Sequence, residues 1–289
     1  MNKFKGFLFG MTASSTFGLL PLFTLPIMSE GLTTNSILCY RMLFASVLVA
    51  VLMQVRKIAF RTNLRELLWF AFLGFFYYGS ASLLFQAYGT MSSGMATTLH
   101  FLYPVGVTLI MALVFKQRPS PFTILAIILG LSGVALRSLK EGGGSSSASL
   151  VGILLVLLSG LSYAAYLVTM NNVRRVRESN NLKLTLYVLI FSALFFLLDT
   201  SLSGGLQMIP SGRALTNLLL LAFLPTLVSN LALVRAVKSI GSTLTSVLGA
   251  MEPLTAIVIG VVVFGEEVTG PMALGILLIL LSVTIIVLS

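Results

Sequence analysis

Apolar runs of about twenty residues, set apart by short clusters of lysine and arginine or by glycine and proline, dominate the chain. A hydrocarbon core about 30 Å thick needs roughly twenty residues of helix to cross it. The pattern predicts ten spans: Phe7 to Met28, Asn35 to Val55, Glu66 to Gln86, Ser92 to Phe115, Pro121 to Leu139, Leu150 to Met170, Leu182 to Thr200, Ala214 to Ala236, Ser242 to Phe264 and Gly270 to Leu288. Runs such as Ile153 to Leu158 are apolar on every side, which suits a helix in lipid and not the alternating strands of a barrel. Lys3 and Lys5 ahead of the first run resemble a signal peptide. That run is long enough to span and no small-residue cleavage site closes it, so it reads as a retained first helix.

One stretch occurs twice. Ser80 to Leu136 returns without a gap as Ser229 to Ile285, pairing Ala87 with Ala236, Ser93 with Ser242, Pro104 with Pro253 and Phe115 with Phe264. The only flexible segment by composition, Lys140 to Ser149, separates two sets of five spans. The expected organisation is a first five-helix repeat over 1–139, a Gly/Ser-rich linker over 140–149 and a second five-helix repeat over 150–289. Five is odd, so the second repeat enters the membrane from the opposite side. With the N-terminus in the cytoplasm, Lys3, Lys5, Arg56, Lys57, Lys116, Arg118, Arg174, Arg175 and most other basic residues fall inside, while Arg137, Lys140 and Arg213 fall outside. That positive-inside bias predicts inverted repeats with both termini cytoplasmic.

Composition narrows the class further. With 57% hydrophobic and 9% charged residues and a mean hydropathy of +1.04, the chain has too little polar surface to face water, which makes it an all-α integral membrane protein. The net charge of +10 could suggest nucleic acid, but the basic residues sit at span ends, where they set topology, so no nucleic-acid partner is expected. The expected partners are the lipid bilayer and a small-molecule substrate, and the chain is read as a monomer or a homodimer. Cys39 is the only cysteine, which excludes an internal disulfide. One histidine and one cysteine cannot build a zinc site, and no H-E-x-x-H, G-x-S-x-G or Walker A pattern occurs. No enzyme chemistry, metal or cofactor is expected.

The second repeat carries Met251-Glu252-Pro253, then Val263-Phe264-Gly265-Glu266-Glu267-Val268-Thr269, then a glycine-containing last helix from Gly275. The first carries Tyr103-Pro104 and Leu129-Gly130-Leu131-Ser132-Gly133, with Lys116-Gln117-Arg118-Pro119 in place of the Gly-Glu pair. In these features the chain resembles the drug/metabolite transporter (DMT) superfamily, EamA branch. The resemblance implies a ten-helix carrier of small metabolites, commonly an exporter, with a central cavity between the repeats, in the cell (inner or plasma) membrane.

Carriers built from inverted repeats bind substrate near the bilayer midplane, so polar groups deep in the spans are the candidates. Glu252 lies about ten residues into its span, where an unpaired carboxylate is costly. It is either a proton and substrate site or a structural group bonded to a neighbour such as Asn230 or Arg41. His100, the only histidine, shares a helical face with Ser93, Thr97 and Pro104, with Tyr103 beside it. It is either a cavity residue or a buried imidazole bonded to a carbonyl. Tyr77, Tyr78 and Ser82 on the third span, with Ser162, Tyr163 and Tyr166 on the sixth, give an aromatic and hydroxyl-rich lining suited to an amphipathic solute. Arg41 is expected to snorkel outward from its span rather than face a carboxylate. The function expected is export of a small amphipathic metabolite, an amino acid or related compound, by alternating access, with proton coupling at Glu252 or His100. A passive uniporter or channel-like facilitator is the alternative, and it would need a continuous polar stripe that the sequence lacks.

Overall fold

The computed structural model describes residues 3–88, 90, 96, 99–141, 150–264 and 270–288. They form α1 (Lys3–Phe17), α2 (Leu20–Ser29), α3 (Thr34–Val55), α4 (Leu64–Tyr88), α5 (Tyr103–Leu113), α6 (Pro121–Glu141), α7 (Leu150–Asn172), α8 (Arg174–Glu178), α9 (Asn181–Leu202), α10 (Gly212–Ala222), a π-helical turn (Phe223–Val228), α11 (Ser229–Leu248), α12 (Met251–Phe264) and α13 (Gly270–Leu288). Six helical stretches are long and apolar enough to cross a bilayer: Lys3–Ser29, Thr34–Val55, Leu64–Ala87, Leu150–Asn172, Asn181–Leu202 and Gly212–Leu248. Tyr103–Leu113, Pro121–Gly133, Met251–Val263 and Ala273–Leu288 are shorter apolar helices beside them.

Three spans that the hydropathy pattern draws as continuous are interrupted. Helix breaks fall at Gly18–Leu19, Phe101–Leu102 and Gly249–Ala250. Each lies just ahead of a proline, Pro21, Pro104 or Pro253, which cannot donate to the preceding turn but suits the first turn of the helix that follows. The π-helical turn contains the fourth, Pro225. Hydropathy averages over such interruptions because the residues on either side stay apolar. A further break, at Gly241 with φ of 85°, separates the two arms of α11 and needs glycine there.

The most extensive helix contacts join the part of the chain before residue 142 to the part after it: α6 with α13, α1 with α11, α4 with α7 and α3 with α9. The halves therefore interleave instead of forming two lobes. Three of these pairs, and α4 with α9, are tied by a hydroxyl that donates to a carbonyl of the facing helix. Ser229 bonds Ala13 (2.9 Å), Ser162 bonds Phe76 (2.9 Å), Ser192 bonds Gly74 (3.0 Å) and Ser282 bonds Ala126 (2.6 Å). Small residues bring backbones into contact as well. A Cβ at Gly275 would stand 2.6 Å from the Gly133 carbonyl oxygen.

Polarity runs outward in reverse of a soluble protein. Val47, Val51, Leu154, Leu198, Leu277 and Val262 are exposed on the outer faces, whereas Ser80, Ser159, Thr226, Ser229 and Asn230 are buried. Apolar side chains meet lipid and polar ones find partners inside.

Gly275→Ala should lower the thermal midpoint of the detergent-purified protein by about 3 °C or more, since the facing atom is backbone and cannot swing aside. Leu274→Ala, on an exposed face of the same helix, should stay within about 1 °C of wild type. Equal effects would contradict the close backbone contact.

Candidate functional site

The proline-linked breaks at Gly18, Phe101 and Gly249 meet at the centre of the bundle. A Cβ at Gly18 would stand 2.5 Å from the Glu252 carbonyl oxygen and 2.7 Å from Thr255, so the α1–α2 break rests on the start of α12. A Cβ at Gly249 would overlap the Tyr103 hydroxyl, so the α11–α12 break accepts the first residue of α5 against its backbone. Between them lies a cavity of about 10 Å³, room for little more than one water.

The cavity wall is drawn from six helices. α1 gives Ala13, Ser14 and Phe17; α4 gives Tyr77; α5 gives Tyr103; α7 gives Tyr163 and Leu167; α11 gives Ser229, Asn230, Leu233 and Thr245; α12 gives Glu252. Tyr103 and Tyr163 meet edge to face with ring centroids 4.8 Å apart. Tyr166, wholly buried, stands behind them, 5.9 Å from Tyr163 and 5.4 Å from Tyr77 between ring centroids.

Asn230 donates its amide Nδ2 to the Thr226 carbonyl (2.8 Å) and to the Tyr77 hydroxyl (3.3 Å). Thr226, in the π-helical turn, accepts from Arg41 Nε (2.7 Å) at Oγ1 and donates from the same atom to the Leu221 carbonyl (2.8 Å). The Thr226 carbonyl, which also accepts a backbone N–H where the turn runs into α11, and the Thr226 hydroxyl both take side-chain donors here. Through them Arg41, Thr226, Asn230 and Tyr77 form one connected strip.

Arg41 does not snorkel. It is 3% exposed, its Cζ lies 5.2 Å from the centroid of the Phe17 ring, and its Nη2 is buried with no hydrogen-bond partner among the described residues. Its position about two helix turns in from the start of α3 sets the guanidinium against the π-helical turn instead of the aqueous boundary. Glu252, in the first turn of α12, faces the cavity, and no described side chain hydrogen-bonds its carboxylate. Among the described residues the bond to Asn230 or Arg41 considered from the sequence does not form: the Asn230 amide donates to Thr226 and Tyr77, and Arg41 Nε donates to Thr226.

His100 stands one layer back from the cavity. Its ring lies 5.8 Å from Tyr103 and 6.1 Å from Tyr163 between centroids, and its Nδ1 is 3.0 Å from Ser159 Oγ. Ser159 has one hydroxyl hydrogen and gives it to the Ser80 carbonyl (2.5 Å), so His100 Nδ1 carries the proton and donates to Ser159. The helix breaks between His100 and Tyr103 at Phe101–Leu102, yet their rings stay in contact, and of the two only Tyr103 lines the cavity. Tyr78 points to the α9 side, its ring 4.8 Å from Phe196 and 5.7 Å from Phe195. Ser82 accepts from Gln86 (3.1 Å) and Ser162 donates to Phe76, both away from the cavity. Thr97 lies outside the described residues.

Ser14, Phe17, Leu167, Leu233 and Thr245 line the cavity without having been singled out as lining from the sequence. Ser14 belongs to the small and hydroxyl residues of the first span, and the prolines beside the breaks and in the π-helical turn point to Phe17, Leu233 and Thr245, whereas no such signal marks Leu167. Among the described residues no group of histidine, cysteine or acidic side chains could hold a metal ion.

A sequence model of the EamA-like transporter family matches residues 4–139 and again 150–288. An uncharacterized transporter of Synechocystis sp. is 26% identical over 227 residues, 77% of this chain and 67% of its own length. The uncharacterized transporter YdfC of Bacillus subtilis is 26% identical over 240 residues, 82% of this chain and 76% of its own. A solved crystal structure 19% identical in sequence superposes with a TM-score of 0.83 over 97% of this chain and 95% of that one, which shows a shared fold.

Thr226→Val should remove the acceptor of Arg41 Nε and strand a second buried guanidinium nitrogen. A loss of about 1–3 kcal/mol is expected, read as a lower thermal midpoint in detergent. Thr226→Ser keeps the hydroxyl and should restore most of it; equal losses for both would show that the bond contributes nothing.

Proposed function

The chain belongs to the EamA-like transporter family and is a multi-pass membrane transporter, and from that premise we propose that it exports a small amphipathic metabolite, an amino acid or related compound, by alternating access around the central cavity. Its relatives are named transporters, not enzymes. The observation that carries the proposal is the Glu252 carboxylate, which faces a protein-lined space inside the bundle with no hydrogen-bond partner among the described residues. A carboxylate held in a membrane interior without a fixed partner suits a transient one, a proton or a cationic solute group.

The proposed framework is ten spans in two five-helix units of opposite orientation, over 1–139 and 150–289, with both termini cytoplasmic in the cell membrane. The double family match supports it. So does the exchange symmetry of helix contacts: α1 on α11 matches α7 on α4, and α12 on α1 matches α5 on α7. The breaks supply hinges close to the cavity, while the glycine and hydroxyl contacts outside it hold helix pairs together.

Glu252 is proposed as the proton-coupling and solute-binding group, with Tyr77, Tyr103, Tyr163 and Asn230 as the rest of the wall. His100 is assigned a positioning role, holding Tyr103 and Tyr163 from behind.

In proteoliposomes Glu252→Gln should abolish solute accumulation driven by a pH gradient while leaving exchange of preloaded solute in place. Unchanged accumulation would remove Glu252 from coupling. His100→Ala should raise the KM several-fold and leave the gradient dependence intact. A lost gradient response with an unchanged KM would assign coupling to His100 instead.

A further inference from the structure

A second and larger cavity, of about 430 Å³, opens at the end of the bundle where α1 begins. Lys3, Phe4 and Phe7 of α1 line it together with Ser120, Phe122 and Thr123 at the start of α6, and α11 and α13 close it with apolar side chains. It shares no lining residue with the central cavity. Lys3 is the first residue of α1, Ser120 directly precedes α6, and α13 reaches the cavity with its penultimate residue, Val287. Three helix ends meet there, so the cavity lies where hydrocarbon gives way to water. We infer that it is a site for an anionic phospholipid, with Lys3 and the Ser120–Thr123 hydroxyls on the lipid phosphate and the phenylalanines against the start of an acyl chain. The inference rests on the membrane position of the chain and is independent of what the chain carries.

Charge selects the headgroup. Lys3 lines the cavity and no acidic residue does so among the described residues. The segments that supply the wall, 3–29, 116–140, 229–248 and 270–288, contain no aspartate or glutamate, whereas Lys5, Lys116 and Arg118 add positive charge close by in the chain. A phosphate with no ammonium on the same headgroup meets that potential uncompensated, while phosphatidylcholine brings its own cation. The hydroxyl pair offers a donor. Ser120 Oγ and Thr123 Oγ1 lie 3.0 Å apart, and Ser120 Oγ also accepts from the Thr123 backbone N–H (3.1 Å). One of the two hydroxyl hydrogens is used between them. Among the described residues the other has no acceptor, although Thr123 is only 4% exposed, and a phosphate oxygen would take it. Phe4 and Phe122 stay more than half exposed beside the buried Phe7, an apolar wall that an acyl chain covers at no polar cost. The cavity lies between the α1–α11 pair and the α6–α13 pair, each closely packed within itself, with sparser contacts from one pair to the other. A lipid seated there touches both pairs and holds them together.

The test is native mass spectrometry of the full chain released from detergent micelles, titrated with phosphatidylglycerol and with phosphatidylcholine of matched acyl chains. Phosphatidylglycerol should bind about 5-fold tighter, as expected for one cation acting on an anionic headgroup. Lys3→Gln should remove most of that difference, and Lys3→Arg should keep it. Arg175→Gln, which removes an exposed cation of α8 outside the cavity, should leave it unchanged. Phosphatidylglycerol should also raise the thermal midpoint of the wild-type protein, and raise it less in Lys3→Gln. Equal affinity for the two lipids overturns the inference. So do equal losses from Lys3→Gln and Arg175→Gln, which would mean that anionic lipid collects on the basic surface as a whole. Displacement of the lipid by glycerol phosphate at an equal concentration overturns it as well, because the phenylalanine wall would then contribute nothing.

Discussion

A proline inside a membrane helix removes a backbone donor and leaves a carbonyl without its partner, and lipid cannot replace either. Such interruptions are tolerated where protein surrounds them. In this bundle Pro21, Pro104, Pro225 and Pro253 are each coupled to a break or a π-helical turn, and the chain at these places meets around one small cavity. The rest of the interior follows from that constraint. The Thr226 carbonyl and hydroxyl engage Asn230 and Arg41, the open backbone at Gly249 admits Tyr103, and the start of α12 presents Glu252.

The same arrangement divides the molecule mechanically. Away from the cavity, Gly133 meets Gly275 backbone to backbone, and serines on α9 and α13 reach across to carbonyls of α4 and α6. Those pairs resist sliding. Near the cavity the helices are already broken, and the torsional changes needed to open it are concentrated at few residues. Because the most extensive contacts join the two halves of the chain, each moving body in the proposed alternating-access cycle would contain helices from both. The proposed cycle is therefore a motion of mixed bundles about the breaks.

Much of this was legible in the sequence because the membrane imposes strong local rules. Long apolar runs gave the helices, and a constant offset between two stretches gave the duplication that the family match reflects. Glu252 was visible as a carboxylate deep in a span, and Tyr77, Tyr103, Tyr163 and Asn230 as polar groups in apolar surroundings; all five line the cavity. What escaped depends on helical phase and on partners distant in the chain. Tyr78 and Ser82 sit on the same helix as Tyr77 but face α9 or their own helix. His100 contacts Tyr103 without reaching the cavity, and the helix breaks between the two. Arg41 looked like a snorkelling residue because its anchor, Thr226, lies in a turn whose π geometry no local pattern reveals.

The account turns on the cavity being reached from each side of the membrane in turn. The direct measurement is labelling of Thr245→Cys, a buried cavity residue, by a membrane-impermeant thiol reagent applied to either face of proteoliposomes. The native buried Cys39 is first replaced by alanine. Labelling from both faces, with a pH gradient that raises it on one face lowering it on the other, is the predicted result. Labelling from one face alone, or from both with no such reciprocity, would contradict alternating access at this cavity.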